Sequence, residues 1–125
     1  MSDDAPANGI RILLVEDEPI VAMLTEDQLE NIGCVVIATV ATIAEANAAI
    51  ASLSFDIAMV DINLGEESGL EIARSLIARK IPYIVTSGYA AEALRRDHPT
   101  APVLTKPYAI AELEGAISRC ARPRA

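Results

Sequence analysis

The chain has 125 residues, 52% of them hydrophobic, and carries a formal charge of −8 at pH 7. That length suits one domain with a core of its own and is too short for two. The acidic balance argues against nucleic acid or an anionic membrane as the main partner. No apolar stretch approaches the roughly 20 residues of a membrane-spanning helix, and no basic-then-apolar secretion signal opens the chain; a cytoplasmic protein is expected. One Phe and three Tyr leave the interior to Ala, Ile, Leu and Val. Cys34 and Cys120 stand apart, with no CxxC and no His close by, and read as buried thiols.

Residues 1–8 are polar and patternless and read as a loose leader; 9–122 form the domain and 123–125 a tail. Ile10 to Val15 is a β-branched, apolar run, the first strand. It stops at Glu16-Asp17-Glu18-Pro19, where Pro fits the first turn of a helix and the acids favour its positive end. That helix runs to about Ile32 with Val21, Leu24 and Ile32 on one side, and Gly33 ends it. Cys34 to Val40 is the second strand. Ile43, Ala46, Ile50 and Leu53 mark the second helix. Ile57 to Val60 is an unbroken apolar run, a third strand buried on both faces, and it ends in Asp61. A polar loop follows through Glu67, and then a helix with Leu70, Ala73 and Ile77 as its buried stripe. Tyr83-Ile84-Val85 is the fourth strand, closing on Thr86-Ser87-Gly88. Ala90 to Arg96 reads as a short, weakly patterned helix. Val103-Leu104-Thr105 is the fifth strand, ending at Lys106-Pro107, and Ile110, Leu113 and Ile117 mark the last helix.

Five repeats of apolar strand and helix call for an α/β fold in three layers, a parallel five-stranded sheet covered on both faces. Right-handed crossovers favour a flavodoxin-like (βα)5 arrangement with strand order 2-1-3-4-5, in which ligands sit at the carboxyl ends of the strands. Those ends are where the polar residues collect: Glu16 and Asp17 after the first strand, Asp61 after the third, Thr86 and Ser87 on the fourth, Lys106 after the fifth. Taken singly, each has an ordinary reading as a helix start, a turn residue or a surface lysine. Together they specify a site. Three carboxylates against one ammonium leave about two negative charges, which would repel or take up protons unless a cation intervened. Oxygen-only ligands select a hard ion, and Mg²⁺ fits best because it keeps waters and needs few protein ligands. Asp17 and Asp61 would bind it directly and Glu16 through water. Asp61 is the natural nucleophile for a phosphoryl group, with Lys106 offsetting charge and the Thr86 hydroxyl donating a hydrogen bond.

With the acid pair Glu16-Asp17, the strand-end Asp61 with Asn63 two beyond it, Thr86, and Lys106-Pro107, the chain resembles a receiver domain of two-component response regulators, CheY-like, from Ile10 to about Arg122. The resemblance implies phosphoryl transfer from a histidine-kinase phosphohistidine, or a histidine phosphotransfer protein, to Asp61. It implies Mg²⁺ held by Asp17, Asp61 and the backbone carbonyl of Asn63, and a cis Lys106–Pro107 peptide. Self-dephosphorylation by water is implied as well. Receivers usually carry an aromatic switch residue where this chain has Val103, whereas Thr86-Ser87-Gly88-Tyr89 puts an aromatic just past the fourth strand. This is similar to the FATGUY subgroup, which pairs with HWE-type histidine kinases, with Ile84, Val85 and Ser87 replacing its Phe, Ala and Gly; Tyr89 is carried over as a possible switch aromatic.

Two rival classes were weighed. A haloacid-dehalogenase-like phosphatase also uses an Asp nucleophile and Mg²⁺, but needs a second Asp where Asn63 stands. A nucleotide- or flavin-binding domain needs a Gly-rich loop after the first strand, and Glu16-Asp17-Glu18-Pro19 is its electrostatic opposite. Tyr108 is read as packing at the start of the last helix, His98 as a loop residue, and Glu66-Glu67 as a solvated face. The expectation is a single-domain, non-enzymatic switch, monomeric or weakly dimeric, that signals to a downstream protein target by contact.

Overall fold

Ile57–Asp61 (β3) takes the centre of the sheet because it is the strand with no polar face to offer solvent, all five residues being buried. We describe the fold from a computed structural model, which covers residues 8–64, 67–88, 96 and 101–121. Around β3 the elements are, in chain order, β1 (Arg11–Val15), α1 (Pro19–Asn31), β2 (Val35–Val40), α2 (Ile43–Ser52), β4 (Asn63–Leu64), β5 (Glu67–Ser68), α3 (Leu70–Ala78), β6 (Tyr83–Ser87), β7 (Val103–Thr105) and α4 (Ile110–Ala121). The five long strands form one sheet in the order β2-β1-β3-β6-β7, every pairing parallel. This is the flavodoxin-like order expected from the alternation of elements. Of the weak helix expected over Ala90–Arg96, only Arg96 is among the described residues.

Alternation along the strands divides the core into two layers. Leu13, Val15, Ala58, Val60 and Val85 face Ala46 and Ile50 of α2 and Ile72 and Leu76 of α3. Ile12, Leu14, Ile57, Met59 and Ile84 face Leu29 of α1 and Leu113 and Ile117 of α4. Edge strand β2 carries a bulge: Val36 pairs with Ile12 and Ala38 with Leu13, which leaves Ile37 unopposed and partly exposed.

Several helix faces differ from the sequence expectation. On α1 the buried residues are Ala22, Thr25 and Leu29, while Leu24 is 60% exposed, with Ile20 and Met23 more exposed still. Of the residues expected on the buried side, Ile32 packs against the core and Val21 is half-buried, so Leu24 is the one that departs. On α3, Ile72, Ala73 and Leu76 are buried and Ile77 is not. The loop expected through Glu67 is a small hairpin, with Asn63 opposite Ser68 and Leu64 opposite Glu67 in an antiparallel pair. Cys34 is buried and Cys120 half-buried, both free.

Helix ends explain two backbone positions. Gly33 has φ +99° and closes α1 with the two hydrogen bonds of a Schellman turn, Cys34 N to Leu29 O (2.9 Å) and Gly33 N to Glu30 O (3.0 Å). The same turn closes α3, with Ile81 N to Leu76 O at 2.9 Å and Lys80 N to Ile77 O at 3.0 Å. There the left-handed position is taken by Lys80, at φ 59°.

Candidate functional site

Strand register lines up the site. Val15 pairs with Val60 and Asp61 with Thr86, and Ser87 pairs with Thr105, so Glu16, Asp61, Thr86 and Lys106 arrive at one edge of the sheet. The backbone ladder continues past the strand ends and fixes them there. Glu16 N donates to Val40 O (2.9 Å), Ile62 N to Thr86 O (3.0 Å) and Lys106 N to Ser87 O (2.7 Å). Asp61 follows Ile57 and Met59 by the two-residue step, and Thr86 follows Ile84, so both belong to the face of the sheet that packs on α1 and α4. Ser87 follows Val85 onto the opposite face by the same step; its carbonyl is the group that holds Lys106.

The centre of the site is a lysine between two acids. Lys106 Nζ lies 3.0 Å from Glu16 Oε1 and 3.0 Å from Asp61 Oδ2. Both carboxylates are almost fully buried, whereas the lysine side chain keeps 24% of its surface. Glu16 Oε2 also accepts from the Glu18 backbone N–H (3.2 Å). Burial raises the Glu16 pKa, and the Asp61 charge adds to the rise, against the hydrogen bond from Lys106. Burial alone would lower the Lys106 pKa, but the hydrogen bonds and charges of Asp61 and Glu16 outweigh it and hold the ammonium protonated.

Carboxylate oxygens of Glu16, Asp17 and Asp61 all lie within 4.8 Å of one another. Three hard oxygen donors around one point, with an excess of negative charge that a single lysine leaves uncompensated, fit a divalent cation such as Mg²⁺. Asn63 sits on β4, two residues past Asp61, where the backbone begins its hairpin. The Lys106–Pro107 peptide is cis. Of the residues expected here, Glu16, Asp17, Asp61, Thr86 and Lys106 converge, Pro107 follows the lysine, and Tyr89 lies outside the described residues.

Two further residues bear on the site. Tyr108 packs against the core layer of α1 and α4, and burial raises its pKa. Gly69, at the N-cap of α3, rests on the Asp61 backbone. Eight residues past Asp61 and directly before the amphipathic segment Leu70-Glu71-Ile72-Ala73-Arg74, it looks in the sequence like any glycine at a helix start.

A response regulator receiver domain model matches residues 12–118. The regulatory protein VirG of Agrobacterium tumefaciens (strain 15955) is 37% identical over 78 residues, which are 62% of this chain and 29% of VirG; the chain therefore corresponds to less than a third of that relative. Among solved structures, SdrG from Sphingomonas melonis Fr1 aligns with a TM-score of 0.78 at 35% identity, covering 96% of this chain and 98% of SdrG. The receiver domain of Erythrobacter litoralis PhyR gives a TM-score of 0.80 at 26% identity over 94% of this chain and 97% of that one. Sheet order, the acidic corner with its half-buried lysine, and a family match across nearly all of the chain agree: this protein belongs to the response regulator receiver domain family, the phosphorelay receivers of two-component signalling.

Proposed function

We propose that Asp61 is the phosphoacceptor and that Glu16, Asp17 and the Asn63 carbonyl complete a Mg²⁺ site beside it. The observation that carries this reading is the Lys106 ammonium held 3.0 Å from Asp61 and 3.0 Å from Glu16 in an otherwise buried acidic corner. An Asp61 oxygen attacks the phosphorus of the donor; its bond to phosphorus forms as the donor's phosphorus–nitrogen bond breaks, and the imidazole leaves with the electron pair and takes up a proton. Mg²⁺, held by Glu16, Asp17 and the Asn63 carbonyl when bound, would supply charge that offsets the phosphoryl oxygens. Lys106, 3.0 Å from the Asp61 carboxylate, pairs with the new phosphoryl group. Thr86, on the same face and level with Asp61, donates its hydroxyl to a phosphoryl oxygen. Attack by water on the acyl phosphate returns Asp61 and ends the signal.

The family's donors are histidine kinases or histidine phosphotransfer proteins, and an HWE-type kinase is the proposed donor here. It reaches the pocket across α1, whose exposed Ile20, Met23 and Leu24 stand within two turns of Asp17. Tyr89 is the proposed switch aromatic in place of Val103, and the domain acts as a monomer or weak dimer. Incubation with acetyl phosphate and Mg²⁺ tests the assignment. One phosphoryl group per chain, labile to hydroxylamine and lost in Asp61→Asn, supports it; an equal yield in Asp61→Asn refutes it, and rapid turnover of varied phosphomonoesters would indicate a phosphatase instead.

A further inference from the structure

We infer that Gly69 is a positioning residue for phosphoryl transfer, acting through the backbone between Asp61 and Asn63; the inference rests on Asp61 being the phosphoacceptor. The β4–β5 hairpin folds the chain back so that Gly69 lies against the residues it has just left, and Gly69 N donates to Ile62 O (2.9 Å). A Cβ at position 69 would stand 2.8 Å from Asp61 O, 3.1 Å from Ile62 Cα and 3.1 Å from Val60 Cγ1. The first separation is shorter than nonbonded contact allows and the other two are tight, and two of the three neighbours are backbone atoms that no rotamer change can move aside. Gly69 itself has φ −70° and ψ −2°, a conformation open to every residue. The requirement for glycine is therefore one of space, and the space belongs to the Asp61–Ile62 peptide.

That peptide links two groups assigned to the site. Its Asp61 end carries the attacking carboxylate, and one residue past Ile62 is the Asn63 carbonyl. A methyl group at position 69 must displace this stretch or push α3 away. Displacement shifts the carboxylate relative to Lys106, which follows β7 and whose backbone is held by its bond to Ser87 O. Misplacement of reacting groups by about 1 Å costs roughly a hundredfold in rate. Gly115 provides a matched control: it is also a helical-segment glycine, and an added Cβ there meets nothing within 4 Å.

The test compares wild type, Asp61→Asn, Gly69→Ala and Gly115→Ala for the phosphorylation rate with acetyl phosphate and for the Mg²⁺ dissociation constant by calorimetry. Both are measured at a temperature where circular dichroism shows each variant fully folded. Gly69→Ala is expected to be phosphorylated about ten- to a hundredfold more slowly, and to bind Mg²⁺ at least about tenfold more weakly, with Gly115→Ala unchanged in both. A lowered melting temperature with wild-type rate and Mg²⁺ affinity would overturn the inference and leave Gly69 a packing residue. Should Gly69→Ala fail to fold, it is measured in the helix-stabilised Gly115→Ala background; failure there too overturns the inference, because glycine is then a requirement of the fold. A wild-type protein that accepts no phosphoryl group defeats the assignment of Asp61 and is thereby distinguished from a failure of Gly69.

Discussion

Replacing Lys106 with Met keeps the aliphatic stem and removes the ammonium. In metal-free buffer the change leaves Glu16 and Asp61, each almost fully buried, without the cation that lies 3.0 Å from both. Breaking a buried pair costs about 3–5 kcal/mol. Two features reduce that figure. The lysine is 24% exposed, so part of its interaction is screened by water. Proton uptake also sets a ceiling: neutralising a carboxylate of ordinary pKa 4.5 at pH 7 costs about 3.4 kcal/mol, at 1.36 kcal/mol per unit. The expected loss at pH 7 is therefore about 2–3 kcal/mol, a fall of roughly 10 °C in Tm for a domain of this size. The pH dependence follows from Glu16. Its folded pKa is raised, so the native state holds the proton more tightly than the unfolded chain; the resulting stability is present below 4.5 and is lost as pH rises through the folded value. Losing Lys106 raises that value further, so Lys106→Met should be more stable at pH 5.5 than at pH 7.5. Urea unfolding followed by circular dichroism, with and without 10 mM Mg²⁺ (a probe concentration of about that order), provides the measurement. Mg²⁺ should stabilise the variant more than the wild type. A loss below about 0.5 kcal/mol, or equal Mg²⁺ stabilisation of both proteins, would refute the electrostatic account of this corner.

Three other outcomes are expected. Met23→Glu with Leu24→Glu changes residues that are 64% and 60% exposed; stability should move by less than about 0.5 kcal/mol, while transfer from a phosphorylated histidine kinase slows at least tenfold (roughly 1.4 kcal/mol) and acetyl phosphate labelling is unaffected. Lys80→Gly removes a side chain from the left-handed position at φ 59° and should stabilise by about 1 kcal/mol, read as a higher urea midpoint. Asp56 accepts from the Arg11 backbone N–H at 2.8 Å and pairs with its guanidinium at 3.4 Å; burial opposes the lowering of its pKa, but these Arg11 interactions prevail. Its contribution is thus present above 3.8 and lost as pH falls through the lowered value. Because both side chains are more than 40% exposed, Asp56→Asn should cost at most about 0.5 kcal/mol and flatten the acid limb of a stability–pH curve.

The sheet order and the pocket were legible because their signals are non-local and redundant. Apolar strands that each end in a functional group place Glu16, Asp61, Thr86 and Lys106 together whatever their helices do. Helix faces were less legible. Leu24 and Ile77 have the hydrophobicity of core residues yet lie outside, since the positions that pack on the sheet are Ala22, Thr25 and Leu29 on α1 and Ile72, Ala73 and Leu76 on α3. Periodicity counts apolar residues without knowing which of them a flat sheet can accommodate. The hairpin at Asn63–Ser68 escaped notice because two-residue strands leave no alternation to detect. Glu16 was expected to reach a cation through water, but its bond to Lys106 depends on a spacing of 90 residues that only the fold brings together.

Tyr108 packs into the core layer that Ala22 and Leu29 of α1 help to form, and so joins the segment that follows Lys106 to the inner side of that helix. Outward from that same helix project Ile20, Met23 and Leu24. The lysine segment and the surface proposed for a donor thus meet on opposite sides of one helix.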